Sequence, residues 1–228
     1  MISIRRSHQR GHSQACCLDS WHTFSFGEYY DPDNKGVSVL RVINDDTVMT
    51  GAGFETHAHR NMAIISYILE GAIEHKDSMN NITRLEAGEF QVMTAGTGVT
   101  HSEYNPSNTD LLRFLQIWIQ PSERGLEPGY QQHKFPDVKG RQLIASPDGR
   151  NGSLCIAQDA ALERVRLAAG DELEIAIASD RAAYLHIVRG EMNLNANRLQ
   201  SGDGAAVSSA SIRLCGTSDA EALIFNLP

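Results

Sequence analysis

Four side chains in two short stretches carry the strongest chemical signal in this chain. His57 and His59 stand two apart in Gly51-Ala-Gly-Phe-Glu-Thr-His-Ala-His. His101 and Glu103 stand two apart after the glycine-rich Gly96-Thr-Gly98. Residues at i and i+2 share a face only on a strand; on a helix they diverge by about 200°. Each pair therefore predicts half of an inward-facing site on a β-strand. Three imidazole nitrogens and one carboxylate oxygen suit one divalent transition metal such as Fe, Mn, Ni, Cu, Zn or Co. They do not suit Ca or Mg, which take all-oxygen shells. Four protein ligands around an octahedral ion leave up to two positions for water, O2 or a substrate oxygen, which is what a catalytic metal requires.

Elements that can hold such pairs are abundant. Strand-like runs recur at 37–43, 64–70, 89–94, 112–119, 173–178, 183–188 and 222–227, rich in Val, Ile, Leu, Tyr and Phe. Turn chemistry separates them: Asn44-Asp45-Asp46, Glu70-Gly71, Met79-Asn80-Asn81, Arg189-Gly190 and Gly202-Asp203-Gly204. No long amphipathic helix appears, so the pattern predicts an all-β sandwich or barrel fold.

An internal repeat divides the chain. The first half reads strand, Gly71, strand, turn, Leu85, Gly88-Glu89, strand; the second reads strand, Gly190, strand, turn, Leu199, Gly202-Asp203, strand. Two copies of one barrel account for this. The expected domains are 1–125, carrying the metal ligands, and 126–228, which contains no second His-x-His or His-x-Glu. The segment 120–150 holds four of the seven prolines together with aromatic and apolar residues, and reads as an ordered connection between the copies.

Composition removes several function classes. The formal net charge is −8 with no basic block, so no nucleic-acid footprint is expected. No apolar stretch approaches the ~18 residues of a membrane span, and the basic N-terminus has no apolar run behind it. The expected location is cytoplasmic, with Cys16, Cys17, Cys155 and Cys215 as free thiols rather than disulfide or metal partners.

Other candidates are assigned plainer roles. His22, in Ser-Trp-His-Thr-Phe-Ser-Phe, reads as packing of the N-terminal arm, with the barrel mouth as the alternative. His75 and His133 read as solvent-facing, Arg60 as exposed, and His186 as a packed residue of an apolar strand. Phe54, Met93 and Ile117 are candidates for the apolar wall of a pocket, or for ordinary barrel filling.

Gly51-x5-His57-x-His59 resembles the first cupin motif. Gly88-Glu-Phe-Gln-Val-Met-Thr94-Ala-Gly96-Thr-Gly-Val-Thr-His101 resembles the second, with threonine where many cupins have proline. The ending His101-Ser-Glu103 resembles pirin. So do the stretches beginning Trp21-His-Thr-Phe-Ser-Phe, those at 40–46, 57–71, 93–105 and 116–121, and Glu127-Pro-Gly-Tyr-Gln-Gln132. The resemblance spans the chain, is strongest over 20–150, and is closest to bacterial pirin-like quercetin 2,3-dioxygenases. It implies a bicupin, two jelly-roll barrels in one chain, with the metal held by His57, His59, His101 and Glu103. The chain departs from the pattern at Ala63, where pirin-like sequences commonly carry a glutamate.

The same resemblance implies a metal-dependent dioxygenase that opens quercetin-like flavonols with O2, releasing carbon monoxide and leaving a depside. Glu103 is then both ligand and candidate catalytic base for the flavonol 3-hydroxyl. The alternative is a metal- or redox-sensing pirin without enzymatic activity that binds a regulatory protein partner. An open apolar cleft reaching the ion favours the enzyme; a sealed ion favours the sensor.

Overall fold

Glu89–Thr94 and Leu112–Ile119 form strands over the residues their pattern marks, and the runs at 64–70, 183–188 and 222–227 lie within Ala63–Glu70, Ala182–Arg189 and Ala220–Leu227. The computed structural model describes residues 1–208 and 211–228. Among the described residues no helix is long and apolar enough to cross a membrane.

The chain divides into two units. One comprises Gly11–Phe135 with Leu154–Gln158; the other comprises Met1–Arg10, Pro136–Ser153 and Asp159–Pro228. These bounds differ from the expected 1–125 and 126–228 for reasons of pairing. Strand Ile2–Arg5 adds to Gly204–Ser208 of the later unit. Strand Gly129–Lys134 adds to Glu89–Thr94 of the earlier one. The 120–150 segment is accordingly ordered, and it contributes the strands Gly129–Lys134 and Gly140–Ser146.

In the first unit a seven-stranded sheet runs in the order Gly129–Lys134, Glu89–Thr94, Ala63–Glu70, Leu112–Ile119, Leu40–Val48, Leu18–His22, Gly11–Ala15. A four-stranded sheet runs Gly53–His59, Val99–Tyr104, Ala72–Asp77, Ile82–Glu86. Val48, Ile68, Leu112 and Phe114 of the larger sheet pack on Ile73 and Leu85 of the smaller, so the hydrophobic core lies between the two layers. The second unit repeats the smaller sheet in the same order, as Glu172–Ile175, Ile212–Gly216, Glu191–Leu194, Asn197–Gln200.

The repeat read from the sequence is thus a repeat of structure. Gly71 and Gly190 open equivalent hairpins with φ of 73° and 72°, a region that costs other L-residues about 1–2 kcal/mol. A Cβ on Gly71 would also come within 2.4 Å of the Leu111 carbonyl oxygen, a backbone atom that cannot step aside. Gly71→Ala is therefore expected to destabilise by ~2 kcal/mol or more, read as a lower denaturant midpoint with unchanged slope.

One expected turn is not a turn. Asn44, Asp45 and Asp46 lie inside the strand Leu40–Val48, and all three are buried. Asp45 accepts a bidentate pair of hydrogen bonds from Arg113 on the adjacent strand, at 2.9 and 2.9 Å. Strand alternation puts Asn44 and Asp46 on the opposite face. Polar residues are tolerated there because each has a use inside the unit.

Candidate metal centre and cleft

The two sequence pairs meet as antiparallel neighbours. His101 lies opposite His57 and Val99 opposite His59, and an irregularity between His101 and Glu103 sets Glu103 opposite Phe54. The three rings crowd together, with centroid separations of 4.7 Å (His57–His59), 4.5 Å (His57–His101) and 4.9 Å (His59–His101). One nitrogen from each lies within 4.8 Å of the others, close enough to converge on one ion.

His101 belongs to a second group as well. A donor atom of each of His75, His101 and Glu103 lies within 4.8 Å of the other two, and all three residues are buried. His75 was expected to face solvent; it is fully enclosed. Alternation explains this, because Ile73, His75 and Asp77 point inward while Glu74 and Lys76 point out. His133 and Arg60 are exposed as read, and His186 is buried on its apolar strand.

Hydrogen bonds assign the ring nitrogens. His57 Nδ1–H donates to the Glu55 carbonyl at 2.7 Å, leaving the Nε2 lone pair free. His101 Nδ1 contacts His75 Nδ1 at 3.5 Å, and His75 Nε2 contacts Asp77 Oδ2 at 3.1 Å. Asp77 is fixed in turn by the backbone N–H groups of Met79 and Asn81 and by the Asn81 amide. Read as proton donors, His101 gives Nδ1–H to His75 and His75 gives Nε2–H to Asp77. His101 Nε2 is then a buried lone pair with no protein partner.

Glu103 joins the two sheets. Its Oε1 accepts from Gln91 Nε2 at 2.9 Å and from Ser66 Oγ at 3.4 Å. Its Oε2 is buried without a partner. Burial pushes this carboxyl up to about 7, against the downward pull of the Gln91 and Ser66 hydrogen bonds. Burial, with the neighbouring rings of His57, His59 and His75, pushes His101 down to about 3. Burial and His57 push His59 down to about 4. Neutral imidazoles, a carboxyl short of counter-charge and two orphaned ligand atoms are what a divalent cation would satisfy.

A cleft of about 570 Å³ opens onto His57 and His59, within the ~300–1,000 Å³ usual for small-molecule sites. Phe26, Tyr29, Phe54 and Trp118 supply its aromatic lining. Trp118 stands edge-on to His59 at 5.1 Å and to Phe26 at 5.4 Å. Phe54 lines the cleft as one of the two readings had it; Met93 and Ile117 are fully buried, and Met93 packs with Ile64 and Val99. His22 departs from its expected packing role: though buried, it lines the cleft and bonds Asn44 and Ser13. Asn44, Asp46 and Gln116 line the same cleft, a role the sequence did not assign to them. Ala63 is buried at the head of its strand, pairing with Ile119 and Thr94.

Comparison with known proteins places the whole chain. Residues 3–119 match the Pirin family. The chain belongs to the pirin family. Residues 143–227 match the quercetinase C-terminal cupin domain, so this pirin is an all-β bicupin. A quercetin 2,3-dioxygenase of Escherichia coli K12 is 48% identical over 229 residues, covering 100% of this chain and 99% of that protein. A putative quercetin 2,3-dioxygenase of Pseudomonas aeruginosa is 41% identical, with 98% of each chain covered. The crystal structure of the bacterial pirin YhhW from Escherichia coli in complex with nickel(II) matches with a TM-score of 0.98 at 47% identity, covering 100% of this chain and 99% of that one.

The second cupin of this pirin fills the equivalent positions with aliphatic side chains. His75 and Leu194 are each four residues past the hairpin glycine. Glu103 pairs with His75 as Leu214 pairs with Leu194, and His101 pairs with His57 as Ile212 pairs with Ile175. All four aliphatic residues belong to that unit's buried core.

Proposed function

We propose that this pirin is a metal-dependent dioxygenase that opens the ring of quercetin-like flavonols with O2. The observation that carries this reading is the cleft. It is lined by aromatic side chains and exposes His57 and His59, while His101 and Glu103 sit enclosed behind them, each 1% exposed. A flat aromatic molecule can enter and reach the ion. The sensor reading calls for a sealed ion, so the open cleft favours the enzyme. The close relatives named quercetin 2,3-dioxygenase support the same substrate class. Four free thiols suit the cytoplasm.

The proposed ligands are His57, His59, His101 and Glu103, with iron(II) first and nickel(II) among the alternatives. A divalent transition ion held there supplies Lewis acidity and a point of orientation for substrate and O2. The protein's own part is positional. The Glu55 carbonyl orients His57, the His75–Asp77 pair orients His101, and Gln91 with Ser66 holds one carboxylate oxygen of Glu103, which leaves the buried Oε2 as both the ligand atom and the candidate acceptor of the flavonol 3-hydroxyl proton. Phe54 and Trp118 stand beside His57 and His59 in the cleft and offer the substrate aromatic faces.

Asp77 is thus expected to act through His75 and His101. Asp77→Asn should weaken metal affinity ~10–100-fold, the usual cost of losing a group that orients a ligand, as measured by chelator competition on the folded protein. The function itself is tested by loading purified protein with one metal at a time and following quercetin absorbance in air. Loss of absorbance with oxygen uptake and carbon monoxide release is the expected result; no turnover with any of the divalent metals refutes it.

A further inference from the structure

The larger sheet carries a polar row where a barrel interior would ordinarily be aliphatic. Gln91, Ser66, Gln116, Asn44 and His22 are register partners on five successive strands, and all are buried. Gln91 and Ser66 are committed to Glu103. The other three, with Asp46, line the cleft.

Their hydrogen bonds show which ends are open. Trp118 Nε1–H, which can only donate, bonds Gln116 Oε1 at 3.1 Å. That fixes the carboxamide, so its NH2 group is the end left over. His22 contacts Asn44 Oδ1 through Nδ1 at 2.9 Å and Ser13 Oγ through Nε2 at 2.8 Å. The tautomer protonated at Nδ1 satisfies both contacts and leaves the Asn44 NH2 group over in the same way. Asp46 Oδ1 accepts from Ser20, and its other oxygen is left over too. Among the described residues no hydrogen bond engages Gln116 Nε2, Asn44 Nδ2 or Asp46 Oδ2. All three residues line the cleft, and a ligand that displaces water from these groups without bonding them leaves them unpaired at a cost.

We propose that Gln116, Asn44 and Asp46 form a recognition wall for the ring hydroxyls of a polyhydroxylated planar aromatic, two amides donating to hydroxyl oxygens and Asp46 Oδ2 accepting a hydrogen bond from a hydroxyl. The inference rests on the flavonol reading and adds which flavonols are selected. A site built to bond hydroxyls rejects an analogue that lacks them, because its own groups are then buried unpaired. Aromatic contact with Phe26, Phe54 and Trp118 would serve both ligands alike; the wall distinguishes them.

The test is calorimetric titration of the nickel(II)-loaded protein, without oxygen, with quercetin and with 3-hydroxyflavone, which keeps the 3-hydroxyl and lacks the others. Quercetin is expected to bind at least about tenfold more tightly. Gln116→Met and Asn44→Leu, on different strands, should each weaken quercetin about tenfold and leave 3-hydroxyflavone within about twofold. Retained 3-hydroxyflavone binding reports an intact cleft in each variant. Equal weakening of both ligands in both variants, or a wild-type protein that does not discriminate, overturns the wall. If quercetin is bound selectively yet not consumed in air, the dioxygenase reading fails and the wall stands.

Discussion

Replacing His101 by alanine is expected to strip the protein of its ion and reduce flavonol turnover to background. His101 is the one residue common to both donor groups, His57–His59–His101 and His75–His101–Glu103. Its removal leaves neither group with three donors. The loss in metal affinity should exceed ~100-fold, beyond the 10–100-fold typical of disturbing a group that only supports a ligand. Elemental analysis after dialysis, with thermal unfolding as the control for folding, reads the result. Retention of one equivalent of metal would show that the ion sits elsewhere.

Neutralising Glu103 should change both the strength of metal binding and its pH dependence. Burial holds this carboxyl up at about 7, whereas His59 and His101 are pushed down to about 4 and about 3. Below pH 7 the metal-free carboxyl carries a proton that an incoming cation must displace. Affinity therefore falls as pH falls, about tenfold per unit between pH 7 and pH 5. The two imidazoles are already neutral over that range and add nothing to the slope. Above pH 8 the affinity is flat. Glu103→Gln keeps the shape and removes the charge. It is expected to cost ~100-fold or more at pH 8 and to make the slope below pH 7 shallower by the share that Glu103 contributes. Nickel(II) titrations against a chelator across this pH range make the comparison.

What was legible in the sequence follows from which signals are local. His57, His59, His101 and Glu103 could be paired because a two-residue spacing has one meaning on a strand, and the structure sets His101 opposite His57. The doubled barrel was visible because Gly71 and Gly190 occupy the same left-handed hairpin position. Asn44, Asp45 and Asp46 were misread because three consecutive polar residues carry turn chemistry. In fact Arg113 pairs with the middle one, and the other two face the cleft. His75 was missed because its neighbours Glu74 and Lys76 are charged; counting by twos from buried Ile73 would have turned it inward. Gln116 and Trp118 fell in a stretch that resembles pirin, yet their place in the cleft was not legible, since a strand reads the same whether its inner face meets a core or a ligand.

One cation is expected to be shared by His57, His59, His101 and Glu103 at the inner end of the open cleft. The most direct measurement is anomalous diffraction from crystals of the nickel(II)-loaded protein. A single peak is expected about 2.0–2.2 Å from one donor atom of each of these four residues, with His75 behind His101 and outside the coordination sphere. A peak bonded to His75 and Glu103 but beyond reach of His57 and His59, or no peak near His101, would contradict it.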